Sequence, residues 1–327
     1  MRIYPLLLKP RLFPRVWGGR RLQEIIAPDL DFAPALGEVW TVHGDLQITN
    51  GSYMGQTLGQ LWKRHADEIS GSELAMDHFP LLVKWLDTSE WLSLQVHPDD
   101  EQAKLIEGRD DVNGKVECWY VVNVSGTGEL ICGCRTEADV QEIAHLNGKD
   151  LLPHLHRQNV RQGDFLFLPA GTIHALGPGI TVLEVQQSSD ITYRFYDWDR
   201  PHFEGIDRPL HLRQARQAWL HSKRTAMDGG WLPRQTWGDL LTANTYFTQE
   251  IIEGMGPWHW DVECMEIIAV VQGQGRLVLN DASVSLVSGR VAVIPAAGKT
   301  VDIFPLLGRM QFMRIMCPAA SCSQGCG

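Results

Sequence analysis

Short apolar runs, rich in β-branched and aromatic residues, recur at close intervals along this chain. Gly, Pro, Asn or Asp bounds each run, and these residues end strands and form turns. In the first two thirds of the chain the runs predict strands over 80–86, 91–96, 118–124, 164–168 and 180–187. Regular short strands with turns between them are typical of a β-sandwich or a jelly roll.

Fewer segments carry a helical pattern. Thr57 and Gln60 have the spacing of a capping box and predict a helix that runs toward Gly71. The other predicted helices are one capped by Asp100 that runs through Ile106, one capped by Thr136, and an amphipathic one over 211–222. Because the helices are few, the sequence predicts a mainly β protein.

The β pattern begins again after about Trp231, and predicts strands over 246–252, 266–272, 275–280, 290–294 and 309–315. The spacing from Gly163 to Pro169 recurs between Gly289 and Pro295. We therefore interpret the second half as a duplicate of one β-barrel unit, with the helices inserted in or beside the first copy.

Composition narrows the class of protein. A chain of 327 residues suggests about two domains, and a net charge of −10 argues against a surface for nucleic acid or for anionic membranes. No apolar run has the length of a membrane span, so we expect neither partner. Most of the seven cysteines sit in strand-like segments, as buried free thiols do, which indicates a cytoplasmic protein. Cys317, Cys322 and Cys326 are closely spaced but match no standard zinc motif, and we interpret 317–327 as a tail with incidental thiols.

Three stretches place metal-ligand side chains on or beside predicted strands. Gln95 and His97 lie two residues apart, so both project to one face of a strand, which is the interior of a small barrel. Glu117 precedes another strand, and His174 follows a Pro-Ala-Gly turn. An amide oxygen, two imidazoles and a carboxylate suit Zn²⁺ or a similar divalent ion. A lone inward His is more often an ordinary core residue, but the four side chains together predict a metal site.

Two cations are candidates for chemistry beside this site. Lys115 lies two residues before Glu117 on the same strand face, which suits proton transfer or the binding of substrate oxyanions. The alternative is a surface lysine after a glycine turn. Arg194 has the planar fork that suits a phosphate, and the alternative is a structural ion pair with Asp197 or Asp199.

Two carboxylates are further candidates. Asp190 follows two serines, so it is either a catalytic group or an ordinary turn residue. Glu184 alternates with Val182 on the strand after His174, which gives it a place in the pocket or in the sheet interior.

The second half carries only an echo of the metal motif. His259, Asp261 and Glu266 stand in a His-x-Asp-x4-Glu arrangement, but no His follows Pro295. We therefore predict that the second half binds no metal.

These blocks, taken in order, resemble the type I mannose-6-phosphate isomerase family of the cupin superfamily, in its short bacterial form. The resemblance is strong over about residues 1–225 and rests on 16–19, 37–40, 79–86, 94–100, 114–120, 168–174 and 186–194. Two positions depart from the usual pattern, namely 41–45 and Pro178, and neither touches the ligand set.

The resemblance implies a fold of two cupin-type jelly-roll β-barrels, a bicupin. Residues 1–225 would form the catalytic, metal-binding domain and residues 226–316 a metal-free cupin-like domain. One zinc per chain would be held by Gln95, His97, Glu117 and His174. The resemblance also implies catalytic or substrate-contacting roles for Lys115, Asp190, Arg194 and Glu184.

The expected activity is the interconversion of mannose 6-phosphate and fructose 6-phosphate, with a proton moved between C2 and C1 through a cis-enediol. Two other functions remain open: a cupin-type oxygenase that holds Fe²⁺ with the same ligands, and a sugar-phosphate-binding protein without catalysis. The residues leave open which group carries the proton and whether the protein is a monomer or a dimer.

Overall fold

Antiparallel sheets make up most of the protein in its computed structural model, which describes residues 1–26, 35–71, 76–200, 208–222, 231–232 and 239–317. The strands are β1 (Leu6–Leu7), β2 (Arg11–Gly19), β3 (Leu36–Val42), β4 (Leu81–Asp87), β5 (Leu94–Val96), β6 (Glu117–Val124), β7 (Glu129–Cys134), β8 (Leu155–Asn159), β9 (Phe165–Leu168), β10 (His174–Leu176), β11 (Ile180–Gln187), β12 (Tyr193–Tyr196), β13 (Trp231–Leu232), β14 (Asp239–Ala243), β15 (Thr248–Gly254), β16 (Trp258–Asp261), β17 (Glu266–Gln272), β18 (Gln274–Leu279), β19 (Ala282–Val287), β20 (Val291–Ile294), β21 (Thr300–Pro305) and β22 (Met310–Met316). The mainly β class predicted from the sequence is confirmed.

The described residues contain five α-helices, and four of these lie between β2 and β8 in the first half. They are α1 (Arg21–Ile26), α2 (Leu58–Ser70), α3 (Asp100–Glu107), α4 (Glu137–Ile143) and α5 (Leu212–Ser222), with short 3-10 helices at Gly51–Tyr53 and Gly148–His154. Within the described residues, no helix is both long and apolar enough to span a membrane.

The helix caps explain where two of these helices begin. The predicted capping box of α2 is confirmed, since Gln60 N donates to Thr57 Oγ1 over 3.1 Å and Thr57 N donates to Gln60 Oε1 over 3.0 Å. The predicted cap of α3 was one residue off. Asp99 is the cap, and its Oδ1 accepts from Gln102 N over 2.8 Å, which leaves the Asp100 carboxylate free to bond elsewhere.

The first half is a sandwich of two sheets. A seven-stranded sheet has the order β13-β9-β6-β11-β4-β3-β2, and a five-stranded sheet has the order β12-β5-β10-β7-β8. Apolar side chains from both sheets fill the space between them, among them Trp119, Val121, Leu130 and Leu176. On the outer face of the five-stranded sheet, α5 buries Ala215 and Trp219 against β5 and β12.

The second half repeats this arrangement. Its sheets have the orders β1-β20-β17-β22-β15-β14 and β16-β21-β18-β19. Each of these strands except β1 has a counterpart that comes at the same place in the chain order of the first half. The sheets of both halves are open at their edges over the described residues, so each half is a sandwich and the closed barrels expected from the sequence are not seen.

The two sandwiches pack against each other through their larger sheets. One core cluster joins outward side chains of the seven-stranded sheet, such as Val39 and Val185, to outward side chains of the six-stranded sheet, such as Ile267 and Ile315. Strand β1 also joins the two sandwiches, because it precedes the first sandwich in the chain and Leu6 in β1 pairs with Val293 in β20 of the second.

Two sequence predictions fall wholly or partly on residues outside the described ranges. The domain boundary near residue 225 lies between 222 and 231, and the division into 1–225 and 226–316 stays a prediction. Cys317 is a buried free thiol, whereas Cys322 and Cys326 of the predicted tail lie outside the described residues.

Candidate active site

The strands bring the four predicted metal ligands to one end of the first sandwich. Gln95 in β5 pairs with His174, the first residue of β10. His97 follows β5 directly, and Glu117 is the first residue of β6 in the opposite sheet. All four side chains are buried.

His97, Glu117 and His174 form a compact metal-ligand cluster, with one donor atom from each lying within 4.8 Å of the other two. Nε2 of His174 is 3.1 Å from Glu117 Oε1, and Nε2 of His97 is 3.5 Å from Glu117 Oε2. Each imidazole holds a backbone carbonyl with its other nitrogen: His97 Nδ1 lies 2.8 Å from Ile191 O and His174 Nδ1 lies 2.9 Å from Thr172 O. A donating Nδ1–H leaves the Nε2 lone pair facing Glu117, as in metal sites.

Electrostatics keeps these groups in the form that binds metal. Burial, and then the nearby Lys115, hold the pKa of His97 well below its usual range, so its imidazole is neutral. Burial alone would raise the pKa of Glu117, but Lys115 and the two imidazoles outweigh burial and hold that pKa well below its usual range. A neutral His97 imidazole beside an ionised Glu117 carboxylate fits a divalent cation.

Gln95 lies beside the cluster, with its Nε2 3.2 Å from His174 Nε2 and its Oε1 3.3 Å from Ser93 Oγ. Exchanging the two amide atoms would turn the oxygen toward the cluster and let the nitrogen donate to Ser93. Gln95 as a direct ligand stays a prediction.

Lys115 joins the cluster to a row of charged side chains. Its Nζ lies 2.6 Å from Glu117 Oε2, 3.1 Å from His97 Nε2 and 3.7 Å from Glu184 Oε1. Lys115 is 3% exposed, which excludes the alternative of a surface lysine. Its ammonium therefore sits between the metal cluster and Glu184.

Glu184 is the centre of that row. Glu184 lies on β11, and its cross-strand neighbours are Trp119 on β6 and Lys84 on β4. Trp119 Nε1 donates to Glu184 Oε2 over 2.7 Å, and Lys84 Nζ lies 2.9 Å from Glu184 Oε1. Burial opposes the charge on Lys84, but Glu184, Glu38 and Glu117 outweigh it and raise the pKa of Lys84, so Lys84 is a buried cation.

A cavity of about 370 Å³ opens above this row. Gln95, Lys115, Glu184 and Arg194, all predicted site residues, line it together with Lys84, Glu38, Arg15 and Arg208. A polar cavity of this size is in the range of small-ligand sites. Five of these eight side chains are cationic, which suits an anionic ligand.

Arg194 reaches the cavity from β12, and its buried Nε has no hydrogen-bond partner among the described residues. The carboxylates that were its alternative partners are otherwise engaged: Arg200 Nη1 and Arg208 Nε each lie 2.9 Å from Asp197. Burial and the nearby Arg208 lower the pKa of Arg194, as expected where guanidinium groups gather. The guanidinium of Arg194 therefore has a hydrogen-bond donor left for a ligand.

Asp190 is the predicted site residue that the structure does not bring to the others. It is exposed in the loop after β11, and it is not among the side chains that line the cavity. Its carbonyl accepts from Thr192 Oγ1 over 3.3 Å, which is a turn contact. A catalytic role for Asp190 stays a prediction.

The second half has no comparable metal cluster within the described residues. Glu266 is buried, but it accepts from Arg314 Nη2 over 2.5 Å and from Trp260 Nε1 over 2.8 Å. His259 is an exposed side chain that pairs with Asp302 over 2.8 Å. The echo of the motif is therefore a carboxylate bound by a guanidinium.

Sequence reasoning missed four charged side chains of the cavity, namely Arg15, Glu38, Lys84 and Arg208. Two of them carry a recognisable signal, because Glu38 is the one charge in β3 and Lys84 is the one charge in the interior of β4, whose last residue is Asp87. A charge at such a position must find a partner or serve a site. Arg15 shares β2 with a second arginine, Arg11, and Arg208 lies outside the helices and strands, so neither is marked out in this way.

Comparison with known proteins gives a consistent family. The family description "Phosphomannose isomerase type I, catalytic domain" matches residues 6–118. The chain is 33% identical to mannose-6-phosphate isomerase of Streptococcus mutans over 300 residues, which are 89% of this chain and 92% of that protein. It is 34% identical to mannose-6-phosphate isomerase ManA of Bacillus subtilis over 303 residues, 86% of this chain and 90% of that protein.

Solved structures agree with these relatives. The crystal structure of mannose 6-phosphate isomerase from Bacillus subtilis superposes with a TM-score of 0.82 at 30% identity, covering 95% of this chain and 99% of that one. A mannose 6-phosphate isomerase bound with zinc and yttrium shares the fold with a TM-score of 0.74 at 15% identity, over 96% of this chain and 99% of that one. From its similarity to proteins of nearly its full length, this chain belongs to the type I phosphomannose isomerase family.

Proposed function

We propose that this protein interconverts mannose 6-phosphate and fructose 6-phosphate. One observation carries the proposal: Lys115 Nζ lies 2.6 Å from the carboxylate of the metal cluster and also lines a cavity rich in cations. An amine beside a cluster of possible metal ligands and a cation-rich cavity supports this proposal, because an aldose–ketose isomerase of a phosphorylated sugar requires proton transfer, charge stabilisation and a site for the phosphate.

We infer that the metal is zinc, one per chain, held by His97, Glu117 and His174, with Gln95 as a fourth ligand. The buried mixed N/O donor set and the carbonyl bonds of both imidazoles support this. A bound zinc would supply Lewis acidity toward the oxygens of the open-chain sugar.

The residues of the chain would move the proton. From mannose 6-phosphate, a base removes the proton from C2 while O1 gains one, which gives the cis-enediol; C1 then gains a proton as O2 loses one, which gives fructose 6-phosphate. Lys115 is our candidate for the proton carrier in preference to Asp190, because Lys115 lines the cavity and Asp190 is exposed outside it. Glu184, 3.7 Å from Lys115 Nζ and 2.9 Å from Lys84 Nζ, would fix both ammonium groups.

Arg194 would hold the phosphate or stabilise the charge of the enediolate. Its unpartnered Nε and the neighbouring Arg208 at the cavity support an anion at this point. Binding of a dianion between guanidinium groups would also offset the repulsion that lowers the pKa of Arg194.

We also propose that the two sandwiches are cupin-type jelly rolls derived from one duplicated unit, since their sheets follow the same strand order. Work in a reducing compartment such as the cytoplasm accords with the free thiols of Cys118, Cys132, Cys134 and Cys317.

The test is an assay of the purified protein with each sugar phosphate, before and after treatment with a chelator, followed by addition of zinc. In deuterated water, product that carries deuterium at C1 or C2 supports a proton carrier that exchanges with solvent. Consumption of oxygen without isomerisation would support the oxygenase, and binding of fructose 6-phosphate without turnover would support a sugar-phosphate-binding protein.

A further inference from the structure

Lys115 is held in place by its two neighbours in the chain. Gly114 N donates to Asp100 Oδ1 over 2.8 Å, and Val116 N donates to Gln187 Oε1 over 2.9 Å. Lys115 N itself donates to Pro98 O over 2.9 Å. Three consecutive amides therefore fix the backbone from which the Lys115 side chain reaches the metal cluster.

The two side chains that hold this segment are bonded to each other. Gln187 Nε2 donates to Asp100 Oδ1 over 2.9 Å, so the amide group of Gln187 links Asp100 to Val116. Gln187 is 5% exposed, and it is the last residue of β11, the strand that carries Glu184. The network thus ties the Lys115 segment to the strand of its ion partner.

The other oxygen of Asp100 is bound from the second sandwich. Tyr246 lies in the turn between β14 and β15, and its hydroxyl donates to Asp100 Oδ2 over 2.8 Å. Burial and the bond to Asp100 raise the pKa of Tyr246, so the hydroxyl keeps its proton and stays a donor. With this bond, all three donors around the Asp100 carboxylate are neutral groups at fixed positions.

The segment has little room to move. A Cβ on Gly114 would lie 2.4 Å from Asp99 C and 2.5 Å from Asp100 N, so the two backbones are in direct contact. A change in the position of Asp100 is therefore passed to Gly114 and to Lys115, and not absorbed by a gap.

We propose that Tyr246 is a positioning residue for Lys115, and that the metal-free second sandwich contributes to catalysis through its bond to Asp100. This rests on the proposed isomerase activity with Lys115 as a proton-transfer group. Lys115 Nζ must lie beside the metal-ligand cluster and also reach a sugar carbon. Its rate of proton transfer therefore falls steeply when it is displaced by a fraction of an ångström.

The test is Tyr246→Phe in the full-length, zinc-loaded protein. We expect kcat to fall about tenfold, in the range found for groups that orient a catalytic side chain, while KM and zinc content stay within twofold. In the Lys115→Ala background the same change should have no further effect on the residual rate, because residues that act as one unit are not additive.

A matched control removes another tyrosine hydroxyl. Tyr4 is buried in the core cluster that joins the sandwiches. Its hydroxyl accepts from Tyr53 N over 2.9 Å and belongs to a different hydrogen-bond group from that of Asp100 and Lys115. Tyr4→Phe should lower the melting temperature much as Tyr246→Phe does, but leave kcat unchanged.

Hydrogen exchange gives a readout that needs no activity. The amides of Gly114 and Val116 should exchange about three- to tenfold faster in Tyr246→Phe and in Asp100→Asn, and should be unchanged in Tyr4→Phe. Unchanged exchange and kcat in Tyr246→Phe would overturn the proposal, as would loss of zinc or a loss of rate that persists without Lys115. If the wild type proves inactive, the proposed function fails, and faster exchange would still establish that Tyr246 fixes this segment.

Discussion

Glu117 and Glu266 occupy equivalent positions in the two sandwiches. Glu117 is the first residue of β6 and pairs with Leu168 at the end of β9; Glu266 is the first residue of β17 and pairs with Ile294 at the end of β20. Two imidazoles face Glu117, whereas the guanidinium of Arg314 lies 2.5 Å from Glu266. The buried carboxylate at this position therefore faces two imidazoles in one half and an arginine in the other.

The first prediction compares Glu117→Gln with Glu266→Gln. We expect Glu117→Gln to lose the bound zinc, because the site loses its only anionic ligand. Glu266→Gln should keep one zinc per chain and instead lose roughly 3 kcal/mol of unfolding free energy, since the largely buried Arg314 then keeps only its longer contact with Glu250, 3.4 Å from Nη1 to Oε2. Elemental analysis and urea denaturation measure the two effects. Two zinc ions in the wild type would show that the second half had been misread.

The second prediction concerns His97→Ala and His174→Ala. Each change removes one inner ligand, so metal and activity should be lost together. The fold should survive, because the apolar cores on both sides of the seven-stranded sheet do not contain the metal cluster. Circular dichroism and metal analysis would test this, and full activity after dialysis against a chelator would contradict the ligand assignment.

The third prediction concerns Arg194→Lys, which keeps the charge but loses the fork of the guanidinium. We expect a loss in kcat/KM of about 30- to 1000-fold, or roughly 2–4 kcal/mol, with unchanged zinc content. Lower kcat at constant KM would indicate an interaction made in the transition state, and higher KM a contact with the phosphate of the bound substrate. Wild-type kinetics would place Arg194 outside the site.

The fourth prediction concerns the pH dependence of stability through Glu38. Burial would raise its pKa, but Lys84 and Arg15 outweigh burial and lower it from an ordinary value of 4.5 to about 2. A lowered folded-state pKa stabilises the protein at pH above 4.5, and this contribution is lost as the pH falls toward 2. Glu38→Gln should therefore be less stable than the wild type at pH 6, and the difference should shrink steadily below pH 4.5. Urea denaturation of the metal-free proteins across this range is the measurement, and a difference that does not vary with pH would contradict it.

The meeting of His97, Glu117 and His174 was open to prediction because each side chain lies on or beside a short strand whose alternation fixes the face that it occupies. His97, Glu117 and His174 come from three different strands or strand ends, yet each was identified from its own local motif. The pairing that brings them together needed no further information, since antiparallel strands in one sandwich share a common interior.

Other features depend on contacts between distant segments, which local patterns do not encode. Arg208 is a site residue only because the chain folds back beside Asp197, with Nε 2.9 Å from its carboxylate. Asp100 looked like a helix cap, but its neighbour Asp99 takes that place and Asp100 bonds to Tyr246 in the other half. Open sheets in place of closed barrels likewise reflect the pairing at strand edges, which alternation of apolar residues leaves undetermined.

The position of β1 has a consequence for the order of folding during synthesis. Leu6 and Leu7 are synthesised well before their strand partners Val293 and Ala292, and nearly the whole of both sandwiches is made in between. Until then the first strand has no sheet to join, and Leu6, fully buried in the finished protein, is exposed to solvent or to chaperones. A sheet of the later sandwich thus receives a strand made well before it, and this pairing completes the interface between the two sandwiches.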